Sequence, residues 1–401
     1  MMPAMAHAMT AWICCSFLVA LALLPGTLEL LLLTVAGLFR PRKTAQKSAQ
    51  EPFALTVVIP AHNEKLTIAR CVRSVFAAEA TGVDLRVVVV ADNCTDQTAS
   101  IARSAGARVL ERFDTSQRGK GYALHYAFDS LSDTDTQAFA IVDADTEVER
   151  NFLIETAAAF RSGADATQCR YLVRNPDSSI RTRLMGLTLA AYNVLRPRGR
   201  ANLGLSAGLY GNGFALSTQT VRAVPYCAYS VVEDLEYHLA LLRSSRKVTF
   251  IDRTTVYADM PAAGPGVENQ RARWEGGRLR MAFVQLPGLL KRIAQLNFRL
   301  VEPCLDLLLL PLAFHVVLLL AILPTPSILV RGFAEMGLLT AVLHLSAAAF
   351  AAGNGFRDLA ALASAPFYIL WKLFLIPRVF QASRKNAEWI RTERVAEVIK
   401  P

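Results

Sequence analysis

The chain has three textures. Ala11–Leu38 is almost uninterruptedly apolar, with a single acid, Glu29, and a Pro25-Gly26 pair inside it. From Phe53 to about Val256, short aliphatic runs alternate with longer amphipathic stretches, and Pro303–Phe380 is again apolar. The middle texture predicts an α/β domain with a mostly parallel sheet, because strands buried on both faces read as continuous Val/Ile/Leu runs separated by helices. Leu55–Ile59 is the first predicted strand, followed by a helix from about Leu66 to Ala78. Leu85–Ala91 is the second, with a helix to about Ser104. Ala107–Leu110 is a short third strand, a helix opens at Arg118-Gly119-Lys120-Gly121 and runs through Leu131, and Ala138–Val142 is a further strand.

The flanking textures predict membrane segments. A bilayer crossing needs about 20 apolar residues, so residues 1–40 are expected to hold a transmembrane helix, joined by a polar linker, 41–52. The uncharged start and the lack of a small-x-small cleavage site argue against a cleaved signal peptide. Arg40, Arg42, Lys43 and Lys47 follow at once, so the positive-inside rule sets the next domain in the cytoplasm, at an inner membrane. Residues 303–380 offer the spans Pro303–Leu323, Gly332–Ala352 and Leu359–Ile376. Three spans send the carboxyl terminus outside, yet Arg378 and the basic tail, 381–401, ask for inside. Either one segment is re-entrant, Gly332–Ala352 with its Glu335 being the first choice, or the tail breaks the rule. Between these regions, 277–302 is expected to lie on the membrane surface through Leu289, Ile293, Leu296 and Leu300. Arg181–Arg196 has a similar stripe, with packing on a protein core as its open alternative.

Composition agrees with this division. Of 401 residues 53% are hydrophobic and only 19% charged. The net charge of +10 sits largely beside the apolar segments, which points to a membrane surface as partner and away from nucleic acid. The seven cysteines show no paired metal spacing and fit free thiols in a reducing compartment.

Several predicted strands end in polar clusters: Pro60-Ala61-His62-Asn63-Glu64, Asp92-Asn93-Cys94-Thr95-Asp96, and Asp143-Ala144-Asp145. In a parallel sheet these ends share one edge, where ligands of open α/β sheets bind. Two carboxylates one residue apart can share a hard cation; from that segment alone, a helix N-cap is equally open. A carboxylate at Glu64 or Asp92 can accept from a base N–H or a ribose hydroxyl, and Asp96 reads as a helix cap. His62, His125 and His238 have no ligand spacing and read as structural.

The series P-A-H-N-E, D-N-C-T-D, R-G-K-G-Y-A-L, D-A-D, V-E-D-L and Q-R-A-R-W, in this order over Leu55–Trp274, resembles the membrane-bound family 2 glycosyltransferases of the cellulose, chitin and hyaluronan synthase branch. That resemblance implies a GT-A catalytic domain at 53–276 and an inverting transfer from a UDP-linked nucleotide-sugar to a glycan or lipid acceptor, in exopolysaccharide or glycolipid synthesis. It implies donor contacts from Glu64, Asp92, Lys120 and Asp143. Asp143 and Asp145 would hold Mg²⁺ or Mn²⁺, with the division between nucleotide and metal left open. Asp234 would be the general base beside Glu233, and Gln270, Arg273 and Trp274 would meet product and acceptor. Asn212, in the loop Tyr210–Phe214, would hydrogen-bond an acceptor hydroxyl. Processive synthesis and single transfer both remain open, and a non-catalytic scaffold or receptor subunit among export-complex proteins is the alternative from another class.

Overall fold

In the computed structural model, the described residues are 2–41, 51–261 and 265–384. Arg42, Lys43, Lys47, Lys385, Arg391, Arg394 and Lys400 therefore lie outside the described residues, as does most of the expected linker. Helix α1 (Met2–Gly37) precedes a domain running β1 (Phe53–Ala61), α2 (Ile68–Phe76), β2 (Val83–Asp92), α3 (Thr98–Ser104), β3 (Arg108–Arg112), α4 (Lys120–Ser130), β4 (Ala138–Ile141), β5 (Thr146–Val148), α5 (Phe152–Arg161) and β6 (Ala166–Val173). It continues with α6 (Ile180–Ala190), a π-helical turn (Ala191–Leu195), α7 (Arg196–Asn202), β7 (Phe214–Ser217), α8 (Thr218–Ala223), α9 (Glu233–Arg243), β8 (Val248–Ala258) and the long α10 (Pro265–Ala294).

The strands form one sheet in the order β3-β2-β1-β4-β7-β6-β8-β5. The four strands from β3 to β4 are mutually parallel, β6 is parallel to β8, and β7 and β5 pair antiparallel with their neighbours. The expected α/β sheet is present, with its parallel half carrying the predicted strand ends. Within each continuous apolar run the two faces separate by the period of two. Leu55, Val57 and Ile59 join the layer of α2 and α5, as do Val87 and Val89. Val58, Val88, Val90, Phe139 and Ile141 meet α4 and α9 on the other face.

The remaining helices are α11 (Val301–Leu308), α12 (Leu312–Ile322), α13 (Ile328–Ala352), α14 (Phe356–Ala361), α15 (Ala365–Phe374) and α16 (Ile376–Ala382). Among the described residues, two helices, His7–Gly37 and Ile328–Ala352, are long and apolar enough to cross a membrane, and up to four segments are if each bent pair is one span. Here the expectations need correcting. Gly332–Ala352 lies within the unbroken α13. The break falls instead in Pro303–Leu323, where the two halves meet at 74° around Leu309–Pro311, and a second bend of 49° precedes Ile376. Pro25 does not interrupt α1.

Both expected surface helices pack one stripe on protein, while α10 also leaves Phe283, Val284 and Leu290 exposed. Leu184, Leu187, Ala191 and Leu195 are buried, the last three against α13. Leu289 and Leu300 are buried with Leu239, Leu242 and Leu307, and only Leu296 of that stripe faces out, at 74% exposed. An amphipathic stripe records that one face is covered, and here the cover is another helix.

Candidate active site

The ends of β1 and β2 are held by two asparagines in the left-handed region, Asn63 (φ 56°) and Asn93 (φ 50°), a conformation Asn tolerates better than most residues. Asn63 Oδ1 accepts from Thr95 N at 2.8 Å, and Asn93 Oδ1 accepts from Asp114 N at 2.9 Å. These bonds lock neighbouring loops together, so the polar residues between them project from a braced edge. Asp92 pairs with Arg112, its register partner on β3; Arg112 Nη1 donates to Asp92 Oδ1 at 2.7 Å, with both side chains buried. Burial pushes the Asp92 carboxyl up, against the pull of Arg112. Glu64 accepts from Thr67 Oγ1 at 3.0 Å through Oε2. Asp96 accepts from Thr98 N at 2.9 Å, at the start of α3.

Beyond β4 the acids and a lysine gather. Lys120 donates to Asp143 Oδ1 and to the carbonyl of Gly211. Gly211 has φ +76°, and a Cβ there would lie 3.3 Å from Asp234 Oδ2 and 3.8 Å from Lys120 Nζ. The missing side chain thus lets the loop pass close to both Asp234 and Lys120. At Gly121 a Cβ would sit 1.9 Å from the Ala228 carbonyl, so only glycine lets α4 start this close to the segment leading into α9. Glu233, Asp234 and Glu236 occupy the first turn of α9, where the helix dipole favours acids.

Charge at this point is tightly balanced. Burial works against the Lys120 cation, but Asp143, Glu233 and Asp234 overcome it and push its pKa up. Burial and the neighbouring Asp234 raise Glu233 to about 7. Burial likewise raises Asp234, against the pull of Lys120. Burial pushes Arg273 down, countered by the facing acids Glu233 and Asp143.

One cavity of about 750 Å³ is lined by Glu64, Asp92, Lys120, Asp143, Asp145, Glu233, Asp234, Gln270, Arg273 and Trp274. Residues that are far apart in sequence therefore share one space. Gln270, Arg273 and Trp274 follow the i, i+3, i+4 spacing of one helical face on α10, and Trp274 packs beside Val173, Met185, Leu189 and Met260.

Asn212 is the exception. It is buried away from the lining, its Oδ1 accepting from Asp143 N at 3.1 Å and its Nδ2 donating to Thr146 Oγ1 at 2.8 Å. It fixes the turn bearing Asp143 and Asp145, and its amide is spent there. His62 is on the cavity wall, its Nδ1 paired at 2.8 Å with the Asp92 carbonyl. His125 stands beside Asp129 and the Tyr226 carbonyl, and His238 is buried against Ser206.

The sequence marks Tyr210 only as the start of a loop, and gives no site role to Arg112, Tyr192, Arg196 or Arg278, all but Arg112 of which line the cavity. Arg112 could have been found by aligning β3 with β2, since it sits level with Asp92. Tyr192 lies on the π-helical turn, whose extra residue per turn leaves no sequence mark.

Asp143 and Asp145 offer hard oxygen donors, which suit Mg²⁺ or Mn²⁺ shared with phosphate oxygens and water. A second acid cluster, Glu29, Glu302 and Asp306, is close enough to hold an ion. Arg196, Arg200 and Arg278 already neutralise it.

Residues 56–220 match the sequence model of Glycosyl transferase family 2. The 4,4'-diaponeurosporenoate glycosyltransferase of Staphylococcus aureus (strain USA300) is 36% identical over 104 residues, 26% of this chain and 27% of that protein. The chain thus spans about a quarter of the length of the curated relatives it matches. Among solved structures, a mannosyltransferase from Pyrobaculum calidifontis, in complex with GDP-Man and Mn²⁺, aligns with TM-score 0.48 and 19% identity over 91% of this chain and 95% of its own. A glucosyl-3-phosphoglycerate synthase from Mycobacterium tuberculosis, in complex with Mn²⁺, UDP and glucosyl-3-phosphoglycerate, gives 0.38 and 21% over 57% and 79%.

Proposed function

We propose, from the premise that residues 56–220 form a glycosyl transferase family 2 domain, that the protein is an inverting glycosyltransferase. It takes a nucleoside-diphosphate sugar, with UDP-linked donors first in line, and an acceptor at the cytoplasmic face of a membrane. The supporting observation is the meeting of Lys120, Asp143, Asp145, Asp234 and Arg273 on one cavity. Glu64 and Asp92, at the ends of β1 and β2, suit base N–H or ribose hydroxyl donors. Asp143 and Asp145 would hold the divalent ion, which when bound neutralises charge on the leaving diphosphate. Lys120 and Arg273 add cationic charge on the same side.

Asp234 then acts as general base. An acceptor hydroxyl is a weak nucleophile until its proton is removed, and the raised pKa of Asp234 makes it a better proton acceptor than an ordinary aspartate. Gly211 keeps space open beside it. A single displacement at the anomeric carbon inverts its configuration.

Asp234→Asn keeps the shape and removes the base. We expect turnover to fall by about 10² to 10⁴-fold, with donor binding by calorimetry retained; wild-type turnover would remove this assignment. Chelation with excess EDTA should abolish transfer and readdition of Mg²⁺ or Mn²⁺ restore it, while chelator-resistant turnover would reject the role given to Asp143 and Asp145.

A further inference from the structure

The cavity does not end at the reacting groups. The same space is lined by Leu30, Leu309, Leu310, Pro311, Leu312 and Ala313, from the inner face of α1 and the break between α11 and α12. A chain of contacts links the two ends. Tyr210 neighbours Gly211, beside Asp234. The Tyr210 ring meets the Tyr192 ring edge-on at 5.1 Å. Tyr192 OH accepts from Arg278 Nη1 at 2.9 Å, and Arg278 Nη2 reaches Asp306 Oδ2 at 2.9 Å, three residues before Leu309. Arg196 also lies over the Tyr192 ring, 5.1 Å from its centre. The corridor therefore has a polar, aromatic collar and, past it, an apolar limb.

The limb lies behind an α1 face that presents leucines outward. Leu28 and Leu32, on the outer face of α1, are about half exposed, whereas Leu30 is turned inward and buried. Past the collar, the wall carries His344, whose Nδ1 is already paired with Thr34 Oγ1 at 2.8 Å, and Lys372, 5.0 Å from the Phe314 ring and already paired with Glu275 at 2.6 Å. A glycan threaded here would bury hydroxyls without hydrogen-bond partners, which is costly. A hydrocarbon chain would gain from the same walls.

We infer that the limb is an acceptor-chain subsite: the acceptor is a long-chain amphiphile whose hydroxyl head reaches Asp234 through the Tyr192–Tyr210 collar while its apolar tail lies against Leu30 and residues 309–313. The protein then glycosylates single membrane amphiphiles and does not extrude a polymer. This rests on the glycosyl-transfer reading of the same site.

The test uses the full chain in lipid nanodiscs, a panel of UDP- and GDP-linked sugars, and n-alkanols from hexanol to hexadecanol, read by nucleotide release. KM, expressed as free alkanol, should fall roughly fourfold for each methylene that becomes buried and level off once the limb is full. Ala313→Trp should move that levelling to shorter chains. Hexadecanol with a diazirine at its tail should label residues 309–313 of the unmodified protein, in competition with unlabelled alkanol. Turnover onto free oligosaccharides with no dependence on chain length would overturn the inference and leave the transferase reading intact, as would labelling confined to the outer faces of α1 and α13. Absence of nucleotide release with every donor and acceptor would remove both.

Discussion

Asp234 and Glu233 share one lysine, and that shortage of positive charge makes the site sensitive to pH. Burial disfavours both charged forms; Asp234 adds to it at Glu233, raised to about 7, and Asp143 adds to it at Asp234. The proposed base, Asp234, must be deprotonated to work and burial raises its carboxyl, so kcat/KM should climb with pH above the ordinary aspartate range. Lys120 lowers both acids, so Lys120→Met should shift the acid limb of the pH–rate profile upward; an unmoved limb would separate Lys120 from the proposed base. Stability responds with the opposite sign. Glu233 has a folded pKa above its unfolded value, so the folded state loses stability as pH rises between them. Glu233→Gln should therefore raise the Tm above about pH 7, and the gain should vanish below the ordinary glutamate pKa.

At the level of elements, the strand ends were legible because each is a local event. An aliphatic run stops, a polar cluster begins, and parallel pairing alone brings Glu64, Asp92 and Asp143 to one edge. The membrane side was not legible in this way. Hydropathy records how apolar a segment is, so it could not separate α13, which runs unbroken, from the α11–α12 pair, which bends at Leu309–Pro311. Nor could a stripe on α6 say whether lipid or α13 covers it. Asn212 was misread for a related reason: the glycines around it mark a close approach, but the approach is to Asp143 and Thr146 of its own fold. The crossing of α1 and α7 was equally silent, although glycines permit it. A Cβ on Gly199 would lie 2.4 Å from the Leu33 carbonyl oxygen, and one on Gly37 would lie 2.6 Å from that of Leu195. Backbone cannot move aside as a side-chain tip can. Gly199→Val should cost about 1–3 kcal/mol or more by overpacking, read as a lower Tm in detergent, with Gly199→Ala milder; equal stability of all three proteins would mean the helices part freely.

Across the whole molecule, the α/β domain and the apolar helices are joined by buried charge. Arg196 and Arg200 of α7 meet Glu29 of α1 at 3.3 and 3.6 Å. Both also pair with Asp306 of α11, which receives Arg278 of α10 at 2.9 Å as well. Asp306 is thus the acid that three guanidinium groups share, while Glu29 has one oxygen without a hydrogen-bond partner. Removing one member of a buried ion pair costs about 3–5 kcal/mol, mostly because the remaining charge is stranded. Asp306→Ala takes from Arg278 its acid partner, leaves Arg196 and Arg200 to Glu29 and Glu302, and so frees the guanidinium that holds the Tyr192 hydroxyl at the collar. Glu29→Gln leaves every arginine with another acid to meet. Asp306→Ala should therefore lower the Tm far more than Glu29→Gln and, where folded protein is recovered, raise KM for the acceptor more than for the donor. Thermal unfolding and limited proteolysis of the detergent-solubilised proteins compare the first effect, and initial-rate kinetics the second. If the two variants matched in both, the charges would be independent pairs, and the tie between the apolar helices and the candidate site would have to run through the apolar contacts alone.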